Sequence, residues 1–155
     1  PLHKSYNLAL RPQMVPAGKE SKLLILQLDK TGRKSPVSSS WDNGFVTANP
    51  MTFGTFCVGI DTIPPKITPN GFSDDANLSG RKDLRVKISD DLAGIKSYLP
   101  LIDGKWALFE YDQKNNVLVH NFDTSRIQKG TKHVLSLKVT DNCNNESTLD
   151  LEFLW

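Results

Sequence analysis

Cysteine is scarce in this chain of 155 residues, which contains only Cys57 and Cys143. Two cysteines placed one in each half of the chain form neither a disulfide framework nor a metal site with the usual ligand spacing. We therefore predict that both behave as small buried hydrophobic side chains. The cysteine content excludes a disulfide-rich scaffold and leaves the redox compartment open.

Long apolar runs and a charge of one sign are also missing. No run approaches the roughly 18 apolar residues of a membrane-spanning helix, which predicts no membrane insertion. The net charge is only +2, divided as +3 over residues 1–62 and −1 over residues 63–155. Nucleic-acid binding requires a concentrated basic face, so we expect no nucleic-acid partner.

Catalytic motifs are absent as well. The sequence has no G-x-S-x-G, no H-E-x-x-H and no glycine-rich phosphate loop. Its three histidines, His3, His120 and His133, have no metal-ligand spacing, and the last two fall on predicted strands. We therefore predict a chain that is not an enzyme, with no catalytic residue and no cofactor.

The sequence does have a clear period of two. Apolar and polar residues alternate along most segments and no helical period persists, which predicts an all-β fold. The chain is extended on both sides of Pro64 and Pro65, which cannot donate ladder hydrogen bonds. We interpret this segment as a short, stiff linker between two tandem β-sandwich modules. The first spans residues 1–62, and its few strands are compatible with a truncated N-terminus; the second spans residues 63–155.

The second module has the length and turn spacing of an immunoglobulin-like or fibronectin-like sandwich. In one predicted strand Leu84, Val86 and Ile88 alternate with polar residues. Residues 105–111 form another predicted strand, entered through a hairpin turn at Asp103-Gly104. The predicted core of this module includes Val86, Ile88, Leu137, Val139, Leu149 and Leu151.

Acidic residues mark the linker and two turns of the second module. Turns at one end of such a sandwich lie close together, which would bring Asp61, Asp90, Asp91 and Asp141 to one pole beside Asn144. Oxygen ligands of this kind suit calcium. The alternative is that each side chain caps backbone N–H groups of its own turn. We favour the alternative and expect hydrogen-bonded turns without a bound metal.

Aromatic residues are concentrated in the predicted strand 105–111. Trp106 and Leu108 would point to one face, and Phe109 and Tyr111 to the other. Exposed aromatic rings can serve as stacking platforms for sugars, which makes Trp106 and Tyr111 candidate ligand-binding residues. The alternative is burial in the core, where aromatic side chains supply much of the packing energy.

Several stretches together carry a family resemblance. They are Trp41–Ala48 (WDNGFVTA), Phe53–Val58 (FGTFCV), Asp61–Ile67 (DTIPPKI) and Ile88–Ile95 (ISDDLAGI). They resemble the non-catalytic C-terminal region of bacterial envelope metallopeptidases of the lysostaphin (LytM) type. The closing turn V-T-D-N-C-N-N is similar to the D-x-x-G-N turn of bacterial surface Ig-like repeats, with Asn144 where glycine is usual. The zinc site of that family needs H-x-H with a further histidine and an aspartate, which cannot be placed here, so no catalytic residue is carried over.

The resemblance implies an accessory region of an exported bacterial cell-wall peptidase that acts as a spacer or as a targeting domain. The alternative is a free-standing adhesion or glycan-binding module of the cell surface. Either function implies a monomer in the periplasm or at the cell surface, with a cell-wall or surface glycan or protein as partner. No leader precedes Pro1, so we expect that any export signal was removed or lies outside this sequence.

Overall fold

The computed structural model describes residues 2–155 and confirms the predicted all-β fold. Among these residues the helical structure is a single 3-10 turn, Glu20–Lys22. The chain divides into two compact units, and the first is built from three chain segments: the residues up to Ile63, Asp91–Gly94 and Asp141–Asn145. That the modules 1–62 and 63–155 fold separately stays a prediction.

The first unit contains two sheets of three strands. Its strands are β1 (Leu8–Leu10), β2 (Leu23–Leu28), β3 (Lys34–Val37), β4 (Ser39–Asp42), β5 (Phe45–Ala48) and β6 (Thr55–Ile60). One sheet has the order β1-β5-β4 and the other the order β3-β2-β6. Leu23 and Ile25 of β2 pack against Val46 and Ala48 of β5 in one buried cluster. The two sheets therefore form a small sandwich.

Strand β2 is buried on both of its faces, as its apolar run predicts. Its second face, formed by Leu24 and Leu26, belongs to a separate buried cluster that includes Ala93 and Cys143. Cys57 packs against this same cluster. The predicted burial is confirmed for Cys143, whereas Cys57 is half-buried. Both cysteines lie in the first unit, because residues 141–145 belong to it.

A hairpin joins β4 to β5 through Asn43 and Gly44. Both residues have positive φ, 46° and 87°, and Asp42 pairs with Phe45 across the turn. This is the two-residue turn that an Asn-Gly pair favours. Strand β4 is not evident from the sequence, because the serines that begin it carry no strand pattern.

The second unit contains nine strands in two sheets. They are β7 (Lys66–Pro69), β8 (Ala76–Asn77), β9 (Asp83–Ser89), β10 (Ile95–Ile102), β11 (Lys105–Trp106), β12 (Glu110–Asp112), β13 (Val117–Asn121), β14 (Lys132–Asp141) and β15 (Glu146–Leu154). The sheet orders are β12-β13-β9-β7 and β11-β10-β14-β15-β8. The first corresponds to the D-E-B-A order of immunoglobulin domains, and the second contains the neighbouring C-F-G strands. The unit is therefore immunoglobulin-like.

A single large cluster forms the core of this sandwich, with residues contributed by both sheets. Leu84, Val86 and Ile88 of β9 are fully buried while the residues between them are exposed, as the alternation predicts. The predicted core is confirmed for Val86, Ile88, Leu137, Val139 and Leu151, and Leu149 is half-buried against the same cluster.

The predicted continuous strand 105–111 is wrong. The chain forms β11 on the edge of one sheet, leaves it after Trp106 and enters the other sheet as β12 at Glu110. Between them Ala107 donates its N–H to the carbonyl of Pro100 at 3.2 Å. Where the chain passes from one sheet to the other, its side chains still alternate between core and solvent, since Phe109 is buried and Leu108 is exposed.

Membrane-spanning helices were expected to be absent. Within residues 2–155, no helix has the length and apolar character needed to cross a bilayer.

Candidate functional site

A small cavity of the second unit brings together the side chains with the clearest binding chemistry. Its volume is about 70 Å³. Strands β10, β11 and β13 and the segment after β13 form its wall. The lining residues are Ile102, Asp103, Lys105, Trp106, Ala107, His120, Arg126 and Ile127. Of the two predicted ligand-binding residues, Trp106 lines this cavity and Tyr111 does not.

The β10–β11 hairpin places Lys105 and Trp106 at the cavity. Asp103 and Gly104 form its turn with φ of 52° and 73°, and Ile102 pairs with Lys105 across it. Because β11 is an edge strand, it leaves the Trp106 side chain open to solvent on the outer side. Trp106 is 58% exposed, which is unusual for so large an apolar residue.

The turn of this hairpin is fixed by the Asp103 carboxylate. One of its oxygens accepts the Val134 N–H at 2.9 Å and the other accepts His133 Nδ1 at 2.7 Å. The second ring nitrogen of His133 lies 2.8 Å from the carbonyl oxygen of Gln128. Burial raises the pKa of Asp103, but the hydrogen bonds from His133 and Val134 lower it, as do the charges of His133 and Lys105. Together the lowering effects are larger, so the pKa lies below the usual value of an aspartate. Both carboxylate oxygens are thus engaged in holding the hairpin.

His120 is the buried polar residue of the cavity wall. It is 4% exposed, and its ring stacks on Phe109 with 5.0 Å between centroids. Its Nδ1 lies 2.8 Å from the Leu108 carbonyl oxygen, which can only accept, so Nδ1 carries the proton. Burial lowers the pKa of His120, and the hydrogen bond to Leu108 raises it by a smaller amount. The pKa therefore lies below the usual value of a histidine, and the ring is neutral near pH 7.

In this tautomer Nε2 of His120 is a hydrogen-bond acceptor. Among the described residues it is the one buried side-chain nitrogen or oxygen without a partner. A buried acceptor left without a donor costs about 1–3 kcal/mol, so such atoms are rare and call for a reason. The sequence contained a signal for the burial of His120. Leu118 and His120 are two residues apart on β13, so both side chains point inward.

Arg126 supplies a second cation beside Lys105. Its backbone N–H and that of Ile127 are donated to the carbonyl of Asp123, at 2.9 and 3.1 Å. This turn buries Ile127 and leaves the guanidinium exposed, with a loose 3.9 Å contact to the Asp123 carboxylate. The cavity therefore combines cationic donors, a neutral buried acceptor and an exposed aromatic ring. These groups can bind a polar ligand, and the lining contains no hydroxyl or thiol nucleophile.

Tyr111 lies in the other sheet, on β12. It packs against the core, its ring meets Tyr98 edge-on at 6.0 Å, and its hydroxyl lies 3.2 Å from Asn116 Oδ1. Burial, with a smaller effect of Tyr98, raises the pKa of Tyr111. The structure therefore does not bring Trp106 and Tyr111 into one platform, because the chain changes sheet between them.

Two of the calcium candidates, Asp61 and Asp141, lie together in the first unit. Both are buried, with carboxylate oxygens within 4.8 Å of each other. Asp61 accepts the N–H groups of Ile63 and Ala93 at 3.0 and 2.9 Å. Asn145 Nδ2 is shared between the Asp141 carboxylate and the Asp61 carbonyl, at 2.7 and 3.2 Å. The carboxylates act as acceptors for N–H groups of their own loops and, for Asp61, of the loop that contains Ala93.

The remaining candidates differ in burial and in the unit to which they belong. Asp91 is exposed, and Asp90 is half-buried beyond the end of β9 in the second unit. Asn144 takes the left-handed conformation, with φ of 57°, and its carbonyl accepts Lys22 Nζ at 2.9 Å. Sequence reasoning did not find this lysine, which also reaches the Cys143 carbonyl at 3.0 Å.

A larger groove of about 580 Å³ lies on the first unit. Its wall is mostly apolar, with Lys34 as its single charged side chain, so it offers few groups that would orient a ligand. The cavity at Trp106 is smaller but chemically richer. The groove is lined by Pro12, Gln13, Met14, Pro16, Leu23, Leu26, Lys34, Val58, Gly59, Ile60 and Leu92.

A family model and a solved structure are similar to this chain. Residues 1–61 match the family model of the Zu5-like domain. The whole chain is similar to a solved structure of the fibronectin(III)-like modules of Clostridium thermocellum CbhA, at 13% identity and a TM-score of 0.41, over 99% of this chain and 86% of that one. No curated protein matches the chain in sequence. Neither match names a catalytic family, and neither concerns a lysostaphin-type peptidase.

Proposed function

We propose that this chain is a non-catalytic accessory module of an exported bacterial cell-wall peptidase, acting as a spacer or targeting domain. The observation that carries the targeting role is Trp106, held 58% exposed on an edge hairpin by the Asp103 hydrogen bonds. Tryptophan is enriched among the residues that contribute most of the binding energy at interfaces, so an exposed tryptophan on a hydrogen-bonded turn is suited to contact a partner. The peptidase context rests on the sequence resemblance.

The proposed partner is a glycan or protein of the cell wall or cell surface, bound by a monomeric chain in the periplasm or outside the cell. The cavity beside Trp106 supports binding rather than turnover, because it pairs no nucleophile with a base. Within residues 2–155 no histidine belongs to a group of three potential metal ligands. A zinc peptidase site would therefore have to lie in another part of the parent protein.

Co-sedimentation with purified bacterial sacculi tests this function. The chain should leave the supernatant with the sacculi, while a protein of equal size and charge stays behind, and the sacculi should release no soluble fragments with or without added zinc. Retention equal to that of the control protein would overturn the targeting role. Zinc-dependent release of fragments would overturn the non-catalytic assignment.

A free-standing glycan-binding or adhesion module is the second candidate, and the cavity itself favours it. Lys105, Arg126 and the Nε2 acceptor of His120 surround a space next to an exposed indole, which is the combination of hydrogen-bonding and stacking groups that a sugar uses. This candidate expects binding to isolated glycans without any wall polymer. It also expects a parent reading frame without a zinc peptidase domain.

A further inference from the structure

We propose that the cavity is a subsite for a neutral hexopyranose, with the sugar ring against Trp106 and its hydroxymethyl group inserted toward His120. This inference rests on the glycan-binding candidate above and names its ligand class. Three independent properties of the cavity define that class: the missing donor, the volume and the distribution of charge.

The missing donor is the first. The Leu108 carbonyl fixes the proton of His120 on Nδ1, so Nε2 can be satisfied only by a group that donates. Since His120 forms part of the cavity wall, this cavity is the route by which such a group would approach Nε2. A hydroxyl donates to Nε2 and, through its own oxygen, accepts from a cation.

The volume is the second. A space of about 70 Å³ is about half of the roughly 150 Å³ of a cavity that takes up a benzene ring. It therefore accepts a hydroxymethyl group but not a sugar ring. The ring must lie outside the cavity, where Trp106 offers apolar surface. Stacking of the apolar face of a pyranose on an indole is compatible with this arrangement.

The charge distribution is the third. Lys105 and Arg126 are donors at the cavity, and the Asp103 carboxylate is already engaged by His133 and Val134. An anionic group would suit the two cations, but it can pair with Nε2 only if His120 is protonated, and burial disfavours the charged ring. A neutral hydroxyl meets both requirements.

Methyl glycosides that differ at one carbon give a direct test with the full chain. The neutral hexosides are methyl β-glucoside, β-galactoside and N-acetyl-β-glucosaminide. Methyl β-xyloside lacks the hydroxymethyl group, and methyl β-glucuronide replaces it by a carboxylate. In NMR titrations at millimolar ligand, at least one neutral hexoside should shift the Trp106 indole N–H and the His120 ring signals. Xyloside and glucuronide should bind at least 10-fold more weakly than that hexoside.

Three variants complete the test. Trp106→Ala should abolish the shifts, and His120→Phe, which keeps the stacking on Phe109, should weaken binding at least 10-fold. Leu99→Ala is the control, because Leu99 is an exposed residue of β10 outside the cavity. The proposal would be overturned if xyloside bound as tightly as the hexoside or if His120→Phe bound the hexoside unchanged. It would also be overturned if no sugar shifted any signal, which would mean that the cavity takes up only water. If the unchanged chain sediments with sacculi while no glycoside binds, the subsite fails and the targeting function stands.

Discussion

The two units of this protein complete their cores in different ways. In the second unit a single cluster of fourteen buried side chains fills the space between two sheets. In the first unit each of two separate clusters contains four buried side chains, and one of them depends on Ala93 and Cys143 from distant chain segments. The second unit is thus self-contained, whereas the first needs residues 91–94 and 141–145 to cover β2.

The difference shows how a short sequence can sustain a small sandwich. A segment of about 60 residues buries too little apolar surface to be secure by itself. Here the apolar run of β2 obtains a second cover, and hydrogen bonds of Asp61 with Ala93 and Asn145 fix that cover in place. The first unit therefore relies on a polar network, and the second relies on packing.

Separating the units should produce the largest effect. A fragment of residues 65–155 should fold, with dispersed amide NMR signals and a cooperative melt, because its main core is intact. A fragment of residues 1–63 should lack a cooperative melt, because Leu24 and Leu26 lose Ala93 and Cys143. An unfolded 65–155 fragment, or a 1–63 fragment as stable as the full chain, would remove the distinction.

Leu137→Ala tests the packed core of the second unit. Leu137 is fully buried in β14, so the substitution should lower the free energy of unfolding by about 2–5 kcal/mol, measured by urea denaturation. Val134→Ala in the same strand is the matched control, because Val134 is 44% exposed and should cost less than about 1 kcal/mol. A loss for Leu137→Ala no larger than that of the control would mean that β14 faces the opposite way.

Asp141→Ala tests the polar network of the first unit. The substitution leaves the N–H groups of Cys143 and Asn145 and the Asn145 amide without their acceptor in a buried site, at a cost of roughly 3 kcal/mol. Asp112→Ala is the control, since Asp112 accepts the same kinds of hydrogen bond in an exposed turn and should cost less than about 1 kcal/mol. Equal costs would show that burial adds nothing to this network.

The smallest expected effect is a pH dependence that arises from His120. Its pKa is lowered in the folded protein from 6.5, so the unfolded chain binds the proton first. The free energy of unfolding should therefore fall as the pH drops through 6.5, until the pH reaches the folded-state pKa. His120→Phe should flatten this part of the curve, measured by urea denaturation between pH 5 and 8. A curve of unchanged slope would show that His120 is not desolvated.

Alternation along single strands was predictable from the sequence, and the partners of those strands were not. The inward positions of β9 follow from its alternation of apolar and polar residues. The two-sided burial of β2 follows from its continuous apolar run. What covers the second face of β2 depends on residues 91–94 and 141–145, far away in the chain, which no local pattern identifies.

The candidate site shows the same limit. Trp106 could be recognised as a candidate from its residue type, but the continuous alternation of residues 105–111 concealed the change of sheet that separates it from Tyr111. His120 could have been placed inward by the register of β13. Its unsatisfied Nε2 and its closeness to Arg126 depend on tertiary packing alone.

Amide hydrogen exchange on the full chain tests the central claim, which is that the first unit depends on a polar network and the second unit does not. The most protected amides of β9 and β14 should exchange only through global unfolding, and those of β2 and β6 should exchange through an opening of lower free energy. Asp141→Ala should widen that gap by lowering the β2 and β6 values alone. Equal opening free energies in all four strands, lowered together by Asp141→Ala, would contradict the account.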